Sequence, residues 1–256
     1  MGLPSVETRG FTLVELAIVL TIIGILIGGI LKGQQLLENA RVVATMKQVQ
    51  GIQAAEIIFR DTYGHWPGDM PTATTRLTGC AAPLCFDGDN DGIIGQTTGI
   101  QDGSNEALVT SPEVETRMFW KHLSLAGLIT GVDGGSDPAV PRWGSTHPVA
   151  PMGGGFYASY HNGSIVTSPN TTTAGNYIAI EGVLDPAVST YLPEKTVTSS
   201  GIALRIDEKM DDGHPNTGTI VAEHTNTGCK DVDGPAPGEY TTPPGKHACL
   251  FYFFLQ

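Results

Sequence analysis

Three groupings of residues in this chain have types and spacings suited to chemistry. The first is a single carboxylate, Glu15, set inside an otherwise uncharged apolar run that extends from Phe11 to Leu31. An uncompensated carboxylate in hydrocarbon costs several kcal/mol or takes up a proton, so its presence there reads as functional. The second is Asp87-Gly88-Asp89-Asn90-Asp91-Gly92-Ile93. Carboxylates at the first, third and fifth places, followed by glycine and an aliphatic residue, match the front half of an EF-hand loop, in which alternate side chains converge on one hard cation. This spacing predicts calcium held by Asp87, Asp89, Asp91 and the Ile93 carbonyl. The twelfth place is Thr98 where a bidentate glutamate would stand, so a remote carboxylate such as Asp102 or Glu106 must complete the set, or the affinity is low. The bland alternative is an acidic surface turn. The third grouping is the four cysteines, Cys80, Cys85, Cys229 and Cys249, all downstream of the apolar run. An even number in a segment outside the cytoplasmic membrane points to two disulfides. Three connectivities are open, and sequence proximity favours Cys80–Cys85 with Cys229–Cys249. Zinc is the rival reading, but neither spacing is that of a zinc finger. A weaker acidic cluster, Asp207, Glu208, Asp211 and Asp212, is a second cation candidate, and such clusters more often serve as turns.

The elements that must position these groups divide unevenly along the chain. Of 256 residues, the apolar ones concentrate in 11–31, while the remainder is rich in Gly, Pro, Thr, Ser and Asp. This predicts a membrane stem carrying a loop-rich head long enough to bury its own core. The formal net charge of −12 argues against a general phosphate-backbone binder, so nucleic-acid binding is not indicated. The acidity fits solubility and cation binding.

Residues 1–10 are too short and too polar for an ordinary secretory signal, whose apolar region precedes its cleavage site. Here the apolar run follows Gly10. Its 21 residues suffice to cross about 30 Å of hydrocarbon as a helix. Gly24, Gly28, Gly29 and Gly33 give two G-x-x-x-G spacings, which permit close helix approach and lower helix propensity locally. Beyond Leu31 the pattern turns amphipathic, with Leu36, Leu37, Ala40, Val43, Met46, Val49, Ile52 and Ile57 at three- and four-residue steps and charged residues, Glu56 among them, in between. No proline occurs between Gly10 and Pro67. One helix from about Thr12 to about Arg60 is expected, roughly 70–75 Å long.

The stretch Gly10-Phe11-Thr12-Leu13-Val14-Glu15-Leu16 resembles the prepilin processing motif of type IV pilins and type II secretion pseudopilins. The likeness covers the leader and the helix, about a quarter of the chain. It implies a pilin-like α+β fold: a long N-terminal helix packed against a head with an antiparallel sheet. The implied divisions are a leader at 1–10, a membrane and filament-core helix at 11–31, an amphipathic half-stem at 32–60, and a periplasmic or extracellular head at 61–256. It implies cleavage between Gly10 and Phe11 by a prepilin peptidase, methylation of Phe11, and pairing of Glu15, beside Thr12, with the terminus of a neighbouring subunit. It further implies self-association into a helical filament through an inner-membrane assembly platform. Before assembly the chain would sit in the lipid of the bacterial inner membrane, and afterwards in an extracellular pilus or a periplasmic pseudopilus. In pilins a disulfide-closed C-terminal loop commonly makes subunit contacts, which suggests that role for Cys229–Cys249. Many pilins kink this helix with a proline where Lys32 stands here, leaving Gly24–Gly33 as the candidate weak point.

Downstream, Gly64 and Pro67 end the stem helix. Ser111-Pro112-Glu113 reads as the start of a second helix with a core stripe at Val114, Met118, His122, Leu125 and Leu128. Residues 131–155 read as a long exposed loop. Strands are expected at Phe156–Tyr160, Ser164–Thr167, Tyr177–Val183, Gly218–Glu223 and Ala248–Leu255, a turn at Asn162-Gly163, and a helix at Gly201–Met210. No H-E-x-x-H, G-x-S-x-G or Walker pattern occurs, so a structural subunit, not an enzyme, is expected. Three functions compete: a filament-building pilin, a minor pilin or pseudopilin, and a single-span anchored binding protein or enzyme that would retain residues 1–10.

Overall fold

A computed structural model describes residues 12–95, 115–132, 142–161, 164–165, 168–169, 173–182, 198–224, 229, 238–240 and 249–256. Gly10, Phe11, Thr98, Asp102, Glu106, the 111–114 helix start and the Asn162-Gly163 turn lie outside them.

The chain opens with one helix, α1, over Leu13–Tyr63. Its length follows from the absence of any proline in the segment, and Gly64 closes it by donating its N–H to the Arg60 carbonyl. Residues to Arg41 form one compact unit and Val42–Gln256 another. In the first, the large apolar side chains are exposed, Leu13 at 87%. In the second, α1 buries Val42, Thr45, Val49, Ile52, Ala55, Glu56 and Phe59. This corrects the stripe expected from hydrophobicity alone: Leu36, Leu37, Val43 and Ile57 are exposed, and the buried face carries the polar Thr45 and Glu56. The three- and four-residue period is right, but its phase is set by what the rest of the unit covers.

After a single turn of helix, α2 (Ala73–Arg76), the chain forms α3 (Glu115–Leu125), β1 (Gly155–His161), the short pair β2 (Ser164–Ile165) and β3 (Ser168–Pro169), β4 (Gly175–Glu181), α4 (Ser200–Met210), β5 (Ile220–His224) and β6 (Cys249–Phe254). Four strands make an antiparallel sheet in the order β1-β4-β6-β5. The apolar β6 and β4 take the two central places, where both faces are covered, which explains why neither alternates cleanly in sequence. Ile178, Ile180, Phe251 and Phe253 join Phe59 and Ile52 of α1 and Met118, Phe119, Trp120 and Leu123 of α3 in one core.

Both sheet edges are partly covered by loop backbone. On β1, Phe156 N–H donates to Pro148 O and Tyr160 N–H to Ile94 O; on β5, Ala222 N–H donates to Pro215 O. Such pairing removes groups that would otherwise template a further strand. Residues 142–155 are not the exposed loop expected from their glycines and prolines. Trp143 bridges His147, Val149 bridges Gly155, and His147 and Ala150 are buried.

Candidate functional site

At the amino end of α1, Thr12 N–H and Oγ1–H both donate to Glu15 Oε2, at 2.9 and 2.8 Å, and Glu15 N–H donates back to Thr12 Oγ1 at 3.3 Å. This is a reciprocal capping box: the threonine caps the helix, and the glutamate three residues on closes the loop of bonds. Glu15 is thus held within its own chain, oriented by Thr12. The helix behind it is long and apolar enough to cross a membrane. A Cβ placed on Gly24, Gly28, Gly29 or Gly33 would meet nothing within 4 Å among the described residues. That face is open to helix-to-helix approach.

The second constellation lies where the chain leaves α1. Asp69 is 2% exposed and accepts Asp91 N–H on Oδ1 and Gly92 N–H on Oδ2, both at 3.0 Å. Glu115, the first residue of α3, is 7% exposed and accepts Asp89 N–H on Oε1 (3.0 Å) and Gly95 N–H on Oε2 (3.1 Å). Of these two nearly buried carboxylates, Glu115 therefore holds both ends of the Asp89–Gly95 backbone and Asp69 holds its middle. Gly88 passes so close to the Asp69 backbone that a Cβ would occupy the same space. His122, fully buried, fixes the approach to the loop. It accepts Gly68 N–H on Nδ1 at 2.9 Å and, with its proton on Nε2, donates to Phe86 O at 3.0 Å. Burial lowers its pKa to about 4, so the ring is neutral. Asn176 ties the far side of the loop to β4, accepting Ile94 N–H and donating to Gly92 O.

Carboxylate oxygens of Asp69, Asp89, Asp91 and Glu115 lie within 4.8 Å of one another. Burial, together with neighbouring negative charge, pushes Asp69 above the usual carboxylate range and Glu115 up to about 7. This oxygen-only set suits a hard cation. Its membership corrects the sequence expectation in one respect. Asp87 is not in the group, because its carboxylate accepts the N–H and Oγ1–H of Thr74 at 2.7 and 3.0 Å. Ile93 donates its N–H to Asp91 Oδ1. Asp69 and Glu115 are the site residues that sequence spacing missed; neither lies in the loop, and only the fold brings them to it.

The cysteines pair as Cys80–Cys85 and Cys229–Cys249, each with 5.0 Å between Cα atoms. His122 lies near the Cys80 and Cys85 sulfurs, but these are joined to each other and both ring nitrogens are occupied. In the other acidic cluster, carboxylate oxygens of Asp207, Asp211 and Asp212 also lie within 4.8 Å of one another, and the same residues build a turn. Asp211 accepts Thr219 and Ile220 N–H, Asp212 accepts His214 N–H and Thr217 Oγ1–H, and buried Asp207 accepts Gly213 N–H and the Tyr240 hydroxyl. These bonds set the start of β5. Burial, with its acidic neighbours, raises Asp207 to about 7.

Comparison with known families matches residues 8–31 to the prokaryotic N-terminal methylation motif. That motif marks the type IV pilin and pseudopilin family, and the long N-terminal helix followed by a four-stranded antiparallel sheet is a pilin-like α+β arrangement. No curated protein and no solved structure matches the chain.

Proposed function

We propose that the chain is a structural, non-enzymatic subunit of a type IV pilus-like filament. Residues 1–10 are a leader removed by prepilin peptidase between Gly10 and Phe11, and Phe11 is then methylated. Residues 11–31 hold the subunit in the lipid of the bacterial inner membrane. An assembly platform there passes it into a helical filament, where stems take the place of lipid around one another. Residues 32–60 continue the stem, and 61–256 form the head displayed outside. The reading rests on one observation: a methylation motif on a helix whose large apolar side chains from Leu13 to Leu31 are all exposed. Such a surface is unstable in water and needs either lipid or other apolar helices.

Glu15 then pairs with the amino terminus of an adjacent subunit, and Thr12 presents it for that exchange. Gly24, Gly28, Gly29 and Gly33 allow the stems to approach and bend. The large, loop-rich head favours one rival within the class, a minor pilin or a pseudopilin of a type II secretion pseudopilus. Electron microscopy of filaments sheared from cells, labelled against the head, tests the proposal. Continuous labelling along long filaments supports a filament-building pilin, labelling at tips only supports a minor subunit, and no labelled filament contradicts both.

We further propose that Asp69, Asp89, Asp91 and Glu115 hold calcium. Its part would be structural, neutralising four crowded carboxylates and fixing the loop that caps the β1 edge through Ile94.

A further inference from the structure

The end of β6 is fastened to α1 by two side chains of that helix. Gln53 donates from Nε2 to the Phe254 carbonyl at 3.1 Å, and Arg60 donates from Nη1 to the main-chain oxygen of Gln256. The same Nη1 donates to Glu56 Oε1 at 3.2 Å. The guanidinium carbon lies 4.0 Å from the Trp66 ring centroid. Arg60 therefore joins a carboxylate one turn earlier in its own helix, the turn after that helix, and the end of the sheet. Glu56 is 1% exposed, and its Oε2 has no hydrogen-bond partner among the described residues. Neither cleavage, nor stem packing, nor the acidic loop uses this carboxyl.

We propose that Glu56, Arg60, Trp66 and Gln256 form a proton-operated latch on the end of β6. With Glu56 ionised, Arg60 is drawn against it and retains Gln256. With Glu56 neutral, that attraction is gone, and the Arg60 side chain, already 37% exposed, exchanges Gln256 for water and loosens the strand end. Among the described residues the charged groups bearing on Glu56 are Arg60 and Asp61, both on α1, and the chain at and beyond the end of β6 meets Gln53 and Arg60 through the main-chain oxygens of Phe254 and Gln256. Burial raises Glu56 to about 7, Arg60 opposing and Asp61 reinforcing the rise, so the latch works in the neutral range. The local and global effects have opposite signs. Ionising a buried carboxyl destabilises the fold, yet the same ionisation tightens Arg60 on the strand end.

Amide exchange in the full chain in detergent micelles tests the latch, using the Phe254 and Leu255 N–H groups that donate to Thr219 O and Asn176 O. Between about pH 5.5 and 8.5, protection corrected for intrinsic rate should rise about fivefold in the wild type, the factor a partly exposed ion pair supplies. Glu56→Gln should remove the rise, and Arg60→Gln should leave protection low at every pH. A wild type without the rise, or a Glu56→Gln variant that keeps it, overturns the proposal. The Trp66 indole N–H resonance of the wild type gives a readout free of substitutions. It should titrate near pH 7, and a signal unmoved across that range overturns the latch as well.

Discussion

The most demanding consequence of the acidic loop concerns pH and calcium together. The perturbation is a change from about pH 5 to about pH 8 in the full chain, without added cation. Glu115, Asp207 and Glu56 each have a folded-state pKa of about 7, against ordinary values of 4.5, 3.8 and 4.5. A carboxyl raised on folding favours the protonated native state. The stability it contributes is complete below its unfolded pKa and is lost as pH rises through about 7. For Glu115, moving from 4.5 to about 7 corresponds to at most about 3 kcal/mol. Water reaching these sites and relaxation of neighbouring groups reduce that figure, and the three groups need not add. Taking about 3 kcal/mol for the whole unit, Tm should fall by about 6–12 °C between these pH values. Calcium should remove the share due to Glu115 and Asp69, since it neutralises those carboxylates where protons otherwise would. At a hundredfold excess over Kd it adds about 2.7 kcal/mol, or about 5–11 °C, at pH 8, and much less at pH 5. Thermal unfolding followed by circular dichroism, with calcium or chelator at each pH, measures both effects. Stability that rises from pH 5 to 8 in chelator, or a calcium gain equal at the two pH values, would refute the reasoning.

Other substitutions probe separate parts of the account. Thr12→Ala removes both the helix cap and the hydroxyl that orients Glu15; it should weaken the first turn by about 1 kcal/mol and lower filament yield, checked by helicity in micelles and by shearing. Gly88→Ala drives a methyl group into the Asp69 backbone, so it should lower Tm by roughly 5 °C or more and weaken calcium binding measured by calorimetry. Replacing Cys229 and Cys249 together by alanine should destabilise the chain by about 3 kcal/mol, as expected for reopening a loop of separation 20, measured by denaturant unfolding.

What could be read from sequence was local. The Gly10–Glu15 motif, the proline-free stem and the apolar β6 each announce themselves within a few residues. The head's strand spans were also close, because turn residues punctuate them. The sheet order was not legible, since β6 inserts between β4 and β5 through pairings that no local pattern encodes. The same holds for the acidic loop. Its Asp-x-Asp-x-Asp-Gly spacing shows at once, but Asp69 and Glu115 reach it from the end of α1 and the start of α3, while Asp87 is diverted to Thr74. Glu56 reads as a solvent-facing charge between apolar neighbours and is instead buried, because α1 presents the face containing Ile52 and Phe59 to the core. The Asp211-Asp212-Gly213 segment shows its turn in sequence, but its purpose, holding the first amides of β5, needs the strand in place.

The central claim is that this chain is processed at Gly10-Phe11 and assembles through the stem behind it. Mass analysis of the amino-terminal peptide from protein in sheared filaments tests it most directly. The account predicts a chain that begins at a methylated Phe11 and is recovered in the filament fraction. A chain that keeps residues 1–10 and stays with the membrane fraction would contradict it.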